Sequence, residues 1–214
     1  MTNPIISTHK IIAFVVFICA SLITSLFVYH ITQKNAPSQL SSDIGMLFPA
    51  PRDIKSFELV TANQQPFTEK DFYHHWTLVF FGFTHCSSIC PTTLDTIKRV
   101  YPALHAHYPN LRVALVSIDP ERDTPESLSQ YVRRYNPEFL GITGNIQNIR
   151  KLQSQLGVYS ARDNTSSTNY QIQHTSSILL INPHGKWVGL FKYGLKPDDL
   201  KKGIEISLRS ANAE

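Results

Sequence analysis

Residues Trp76 to Leu94 read WTLVFFGFTHCSSICPTTL. The stretch Trp76–Phe83 is almost unbroken in apolar side chains, the pattern of a central strand covered on both faces. Thr84 and His85 end it. Cys86 and Cys90 follow, and Pro91 sits where a helix begins. From Pro91 to Tyr108 the apolar residues Leu94, Ile97, Tyr101 and Leu104 recur at helical spacing. A buried strand therefore runs through a cysteine-bearing turn into a helix.

Outward from this unit, strands and helices alternate. Ser56–Thr61 (SFELVT) precedes it as an alternating strand, and Leu111–Ile118 (LRVALVSI) follows as a second buried one. Thr124-Pro125-Glu126 opens the next helix: Thr124 suits the N-cap, Pro125 the first helical position, and Glu126 the positive helix end. That helix is expected to run to about Tyr135. A short strand over Phe139–Thr143 leads to a helix over Asn145–Leu156, with Gly157 ending it. Ser176–Asn182 and Lys186–Tyr193 read as strands joined by the turn Asn182-Pro183-His184-Gly185. Pro197–Leu208 closes the chain as a helix with Asp198 and Asp199 in its first turn. Alternation of this kind implies crossover connections and a mostly parallel sheet, with the late hairpin as an antiparallel edge. The fold class is α/β, a thioredoxin-like fold with a central mixed sheet. Ala161–Thr168 is expected to be a polar loop.

The N-terminal part is of another kind. Ile11–Ile31 (IIAFVVFICASLITSLFVYHI) contains no Asp, Glu, Lys or Arg. About 20 such residues in a helix match a hydrocarbon core of roughly 30 Å. The run exceeds the ~7–15 apolar residues of a signal peptide, and nothing between Val28 and Pro37 resembles a small-x-small cleavage site. One uncleaved transmembrane helix is expected, with the rest of the chain outside the cytoplasm. The expected organisation is an anchor over residues 1–34, a flexible Ser/Asn/Pro-rich tether over 35–46, and one globular domain over 47–214.

Composition excludes several classes. The chain has 214 residues, 42% of them apolar and 17% charged, which suits a packed core and not a disordered chain. Net charge is +4, and the basic residues are scattered with no stripe of the kind nucleic acids require, so no nucleic-acid partner is expected. Three cysteines are too few for a disulfide framework, and Cys19 lies within the apolar run as a small hydrophobe.

Cys86 and Cys90 remain. A helix start stabilises thiolates through its dipole and free N–H groups, and a thiolate is both a nucleophile and a metal ligand. Helical positions i and i+4 hold their Cβ atoms about 5–6 Å apart, wider than the ~3.8 Å of a disulfide. A bridge there would be labile, and a loop so short constrains the unfolded chain little. Two thiolates on one ion tolerate the wider span. Soft sulfur ligands select Cu(I), zinc or iron–sulfur. Zinc and iron–sulfur sites call for further cysteines that the sequence lacks, whereas Cu(I) accepts few ligands. Two thiolates plus one imidazole would make a sufficient, open site, and nine histidines are available: His9, His30, His74, His75, His85, His105, His107, His174 and His184. His174, just ahead of the strand Ser176–Asn182, is the leading candidate because such loops converge on the redox end of thioredoxin-like sheets.

These residues resemble the Sco/SenC family of copper-binding proteins that assist cytochrome c oxidase assembly. The resemblance rests on FFGFTHC-x-x-x-CPTTL at Phe80–Leu94, SIDPERDTP at Ser117–Pro125, LGITG at Leu140–Gly144, VYS at Val158–Ser160, and H-T-S followed by L-I-N-P-H-G between His174 and Gly185. It implies Cys86, Cys90 and His174 as copper ligands, and the oxidase subunit carrying the binuclear copper centre as partner. It leaves room for a second copper chaperone as supplier. The implied location is the inner membrane, with the domain in the periplasm, or in the intermembrane space of a mitochondrion. Ser87 and Ser88 stand where relatives often have Pro-Asp, and Gln173 where an acid often precedes the histidine; both changes remove negative charge near the ion. Asp119–Asp123 is expected to be structural, as a helix cap with an Arg122 ion pair. The alternative function is thiol–disulfide exchange, with Cys86 and Cys90 as the redox-active pair reducing cysteines of a copper-protein partner. A peroxidase or redox sensor reacting at Cys86 is a third reading.

Overall fold

The computed structural model describes residues 8–34, 40–61, 63–163 and 170–211. The chain divides into two compact units, Met1–Ser38 and Gln39–Glu214. The first holds helix α1 (Thr8–Lys34), on which Phe14, Phe17, Ile23 and Phe27 are exposed. Among the described residues no helix is long and apolar enough to cross a membrane. The side chains of residues 8–11, 13, 15 and 29–34 lie outside the described set, so the span expected over Ile11–Ile31 rests on the sequence pattern.

The second unit contains strands β1 (Gly45–Asp53), β2 (Leu59–Thr61), β3 (Pro66–Phe67), β4 (Trp76–Gly82), β5 (Leu111–Ser117), β6 (Leu140–Thr143), β7 (Ser160–Arg162), β8 (Ile172–His174), β9 (Ile178–Ile181) and β10 (Lys186–Phe191). Helices α2 (Ile89–His107), α3 (Pro125–Arg133), α4 (Ile146–Gln155) and α5 (Pro197–Ala211) connect and cover them. Eight strands form one sheet in the order β1-β10-β9-β4-β5-β6-β2-β3, and β7 pairs with β8 in a separate hairpin. β4, β5 and β6 are parallel, with Phe81 opposite Val116 and Val116 opposite Ile142; the other neighbours are antiparallel. The sheet is mixed, as expected, but it is not mostly parallel: among the described strands only the β4–β5 and β5–β6 pairs are parallel, and the β9–β10 hairpin is no edge, because β1, which the alternation did not reveal, pairs outside β10. Every residue of β4 is buried, as its unbroken apolar run required.

The helix boundaries follow their capping chemistry. The Thr124 side chain accepts the Ser127 N–H at 3.2 Å and Pro125 opens α3, which ends at Arg133, short of Tyr135. Asn145 caps α4 by accepting the Gln147 N–H at 2.8 Å. In the β9–β10 turn Gly185 takes φ +71°, and the Asn182 side chain accepts the N–H groups of His184 and Lys186. α2 begins at Ile89, so Pro91 falls within the first turn, where its missing N–H removes no helical hydrogen bond.

Two further expectations are corrected. The tether over 35–46 ends sooner: residues 35–39 lie outside the described set, but Leu40 and Ile44 already pack against the core, and Gly45 and Met46 pair with Phe191 and Leu190. Gly203 makes the room, since a Cβ there would meet Ile44 Cγ2 at 2.6 Å. Two apolar residues in a Ser-rich stretch were enough to draw the chain onto α5. The polar loop expected over Ala161–Thr168 begins as strand, because Ala161 and Arg162 pair with Gln173 and Ile172 in the β7–β8 hairpin; residues 164–169 lie outside the described set.

Candidate metal centre

The C-terminal end of β4 delivers the chain to a turn at the carboxyl edge of the parallel strands, where open α/β sheets gather their functional groups. Cys86 lies in that turn, half-buried. Cys90 lies in the first turn of α2, fully buried. Cys86 therefore precedes the helix and does not form part of it, and the Cys90 backbone N–H donates to Cys86 Sγ at 3.3 Å. A helix-start donor is thus spent on the sulfur in place of a side-chain cap, and Ser88 makes no capping bond of its own. Behind Cys90 lies Gly82: a Cβ there would stand 2.9 Å from Cys90 Sγ and 3.0 Å from Leu115 Cδ1. Only a bare backbone lets the sulfur seat at this depth. Both thiols are free.

His174 ends β8, opposite Ser160. Its ring lies edge-on to Phe80 and Phe83, with centroids 6.0 and 6.2 Å away. Nδ1 is 2.9 Å from the Thr175 carbonyl oxygen. A carbonyl only accepts, so Nδ1 donates to it and Nε2 is the nitrogen that faces the sulfurs. Nε2 is 3.8 Å from Cys90 Sγ. The donor atoms of Cys86, Cys90 and His174 all lie within 4.8 Å of one another. All three candidates from the sequence are therefore brought together. His85 is not: it is exposed, with Nδ1 3.0 Å from Thr84 Oγ1. His105 is tied to the Leu111 carbonyl at 3.0 Å, at the far end of β5.

The two sulfurs share one proton. The Cys90 thiol donates to Cys86, and this bond, helped by His174 and by the backbone N–H groups of Cys90 and Ser88 against the cost of burial, holds the Cys86 pKa down at about 4. Giving that bond, being buried and facing the Cys86 charge push the Cys90 thiol far up. At neutral pH the pair is one thiolate and one thiol. An ion bound by both sulfurs must displace the Cys90 proton. Two sulfurs and an imidazole form a soft donor set with no carboxylate in it, which fits Cu(I) better than a hard cation.

The segment after β5 does more than cap a helix. The expected pair is there, with Arg122 Nε 2.5 Å from Asp119 Oδ2. Asp123 instead accepts the Ser117 hydroxyl at 2.6 Å and, at 3.2 Å, the backbone N–H of Thr84. Sequence reading missed Thr84, Asp123 and Tyr170. The available signal was a pair of acids at the end of an apolar strand, where burial is costly unless the carboxylates are satisfied.

The family model described as SCO1/SenC matches residues 49–209. A SCO2-like protein of Rickettsia prowazekii is 35% identical over 137 residues, 63% of this chain and 67% of that one. The mitochondrial SCO1 homolog of Mus musculus is 34% identical over 157 residues, 72% of this chain and 55% of its own length. Among solved structures, Arabidopsis thaliana ScoI with copper bound superposes with a TM-score of 0.69 at 27% identity, covering 73% of this chain and 98% of that one. On this match of sequence and fold, the chain belongs to the SCO1/SenC family.

Proposed function

We propose that this chain is a membrane-anchored copper chaperone. Its cargo is Cu(I), held by the thiolates of Cys86 and Cys90 and by Nε2 of His174. It passes the ion by ligand exchange to the copper-centre subunit of cytochrome c oxidase. The observation that carries this reading is the convergence of three soft donors within 4.8 Å, one of them an imidazole whose other nitrogen is already committed to the Thr175 carbonyl. The copper-bound relative from Arabidopsis thaliana supports the choice of ion. The apolar run Ile11–Ile31 supports a single-pass anchor, with the domain on the periplasmic side or its mitochondrial equivalent. The organisation proposed is anchor over 1–34, a tether ending before Leu40, and the copper-binding domain beyond it. An anchor raises the local concentration of carrier at a membrane-bound acceptor.

The test is copper content of the purified full chain by elemental analysis, with Cys86→Ser and His174→Ala alongside, and oxidase activity in cells carrying each variant. One copper per chain, lost with either substitution together with oxidase maturation, is expected. Full loading of both variants would overturn the proposal.

A second reading is favoured by the depressed Cys86 pKa. The Cys86 thiolate would attack a partner disulfide, forming a mixed disulfide and releasing one partner thiolate. Cys90, losing its proton, would then displace the second, leaving Cys86–Cys90 oxidised and the partner reduced by two electrons. Reduction of the oxidase subunit's cysteines would precede copper delivery at the same pair. Reductase activity that survives His174→Ala while copper binding is lost would separate the two roles.

A further inference from the structure

Two buried carboxylates, Asp119 and Asp123, lie one turn apart in the segment that leaves β5. The Asp123 N–H donates to the Asp119 carbonyl at 2.9 Å, which ties the two together through the backbone. Each is spent on a different half of the metal centre. Asp123 is fastened to the sheet by the Ser117 hydroxyl at 2.6 Å. It accepts the Thr84 backbone N–H at 3.2 Å and the Thr84 hydroxyl at 2.5 Å. Thr84 stands two residues before Cys86 in the same turn. Asp119 accepts the Tyr170 hydroxyl at 2.6 Å and the Arg122 guanidinium at 2.5 Å. The Tyr170 ring is 3.6 Å from the Arg122 guanidinium carbon and 3.4 Å from that of Arg162. Two cations so close to one ring must take opposite faces, which clamps the ring in place. Tyr170 leads directly into β8, the strand that ends at His174. A further bond joins the two halves: Gln171 Nε2–H donates to the His85 carbonyl at 3.3 Å.

We propose that Asp119 and Asp123 are paired positioning residues of the copper site. Asp123, through Thr84, sets Cys86, and Asp119, through Tyr170, sets His174. A single turn of chain thereby fixes the distance between sulfur and nitrogen donors that reach the site from segments far apart in sequence. The inference rests on the reading of Cys86, Cys90 and His174 as copper ligands. It goes beyond that reading by assigning the acids an indirect role on opposite sides of the ion.

The test is a set of Cu(I) affinities for the full chain in detergent, measured by competition with a chromophoric Cu(I) chelator, in the native, His174→Ala and Cys86→Ser backgrounds. Tyr170→Phe keeps the ring and deletes only the hydroxyl. It should weaken Cu(I) binding about tenfold in the native chain and by less than about twofold once His174 is gone, because its effect travels through that ligand. Asp119→Asn should behave the same way. Asp123→Asn should cost about tenfold in the native chain and less than about twofold in a Cys86→Ser background, because its effect travels through Cys86, and equal losses in those two would overturn its half of the inference. Should Asp123→Asn not fold, Thr84→Val carries the same expectation. A purely structural role would lower thermal stability and change affinity by the same factor in either background. Equal losses for Tyr170→Phe with and without His174 would therefore overturn the inference while leaving the ligand assignment intact. If His174→Ala alone leaves Cu(I) affinity unchanged, the ligand assignment itself falls.

Discussion

Raising the pH by one unit from about 7 should tighten Cu(I) binding about tenfold, or about 1.4 kcal/mol. The magnitude follows from the proton shared by the two sulfurs. Cys86, held down at about 4, is already a thiolate at neutral pH, whereas Cys90, pushed far up by its bond to Cys86 and by burial, is still a thiol. Binding through both sulfurs therefore expels one proton, neither none nor two, over the whole window between the two titrations. Competition with a chelator that does not titrate in this range measures the slope. Calorimetry in two buffers of different ionisation enthalpy counts the protons directly. A slope near zero in the native chain would mean that Cys90 is not a ligand. A slope of about two decades per pH unit would mean that the two thiols do not share a proton, and the electrostatic account of the pair would fail.

The same pair affects folding stability without metal. A thiolate whose folded pKa is depressed from 9.0 to about 4 stabilises the fold fully above the unfolded value, and progressively less as pH falls toward the folded one. The gap in denaturation midpoint between the native chain and Cys86→Ser should therefore narrow as pH is lowered from 9 toward 4; a gap independent of pH would contradict the depressed pKa. Gly82→Ala places a methyl 2.9 Å from Cys90 Sγ and 3.1 Å from Phe80 Cε1. It should cost about 1–3 kcal/mol of stability by overpacking and also weaken Cu(I) binding, and a neutral result in chemical denaturation would show that the sulfur has room to move. Thr124→Ala removes the cap of α3 and should cost about 1 kcal/mol while leaving copper affinity unchanged, as denaturation and chelator competition would show.

How much of this was legible in the sequence depended on the range of the interactions. β4 could be read because both its faces are buried, so its pattern is carried by its own residues. α3 and the β9–β10 turn could be read because Thr124, Pro125, Asn182 and Gly185 act on immediate neighbours. β1 could not: it is an edge strand with Pro49 and Pro51 in it, exposed along most of its length, and its register breaks between Leu47 and Arg52. β7 and β8 are three residues each, too short to show a period, yet β8 is what brings His174 to the sulfurs. Among nine histidines, the spacing could rank His174 first but not select it, because its partner Cys90 is 84 residues away. Asp119 and Asp123 looked like a local cap because Thr124 is beside them. Their decisive partners, Tyr170 and Thr84, are 51 and 39 residues distant.

X-ray absorption at the copper edge of the Cu(I)-loaded full chain examines the central claim at the ion itself. The account predicts two sulfur scatterers at about 2.3 Å and one nitrogen at about 2.0 Å, by analogy with thiolate and imidazole bond lengths at other metals, with the nitrogen component lost in His174→Ala. A shell of sulfur alone in the native protein, or one unchanged by that substitution, would contradict it.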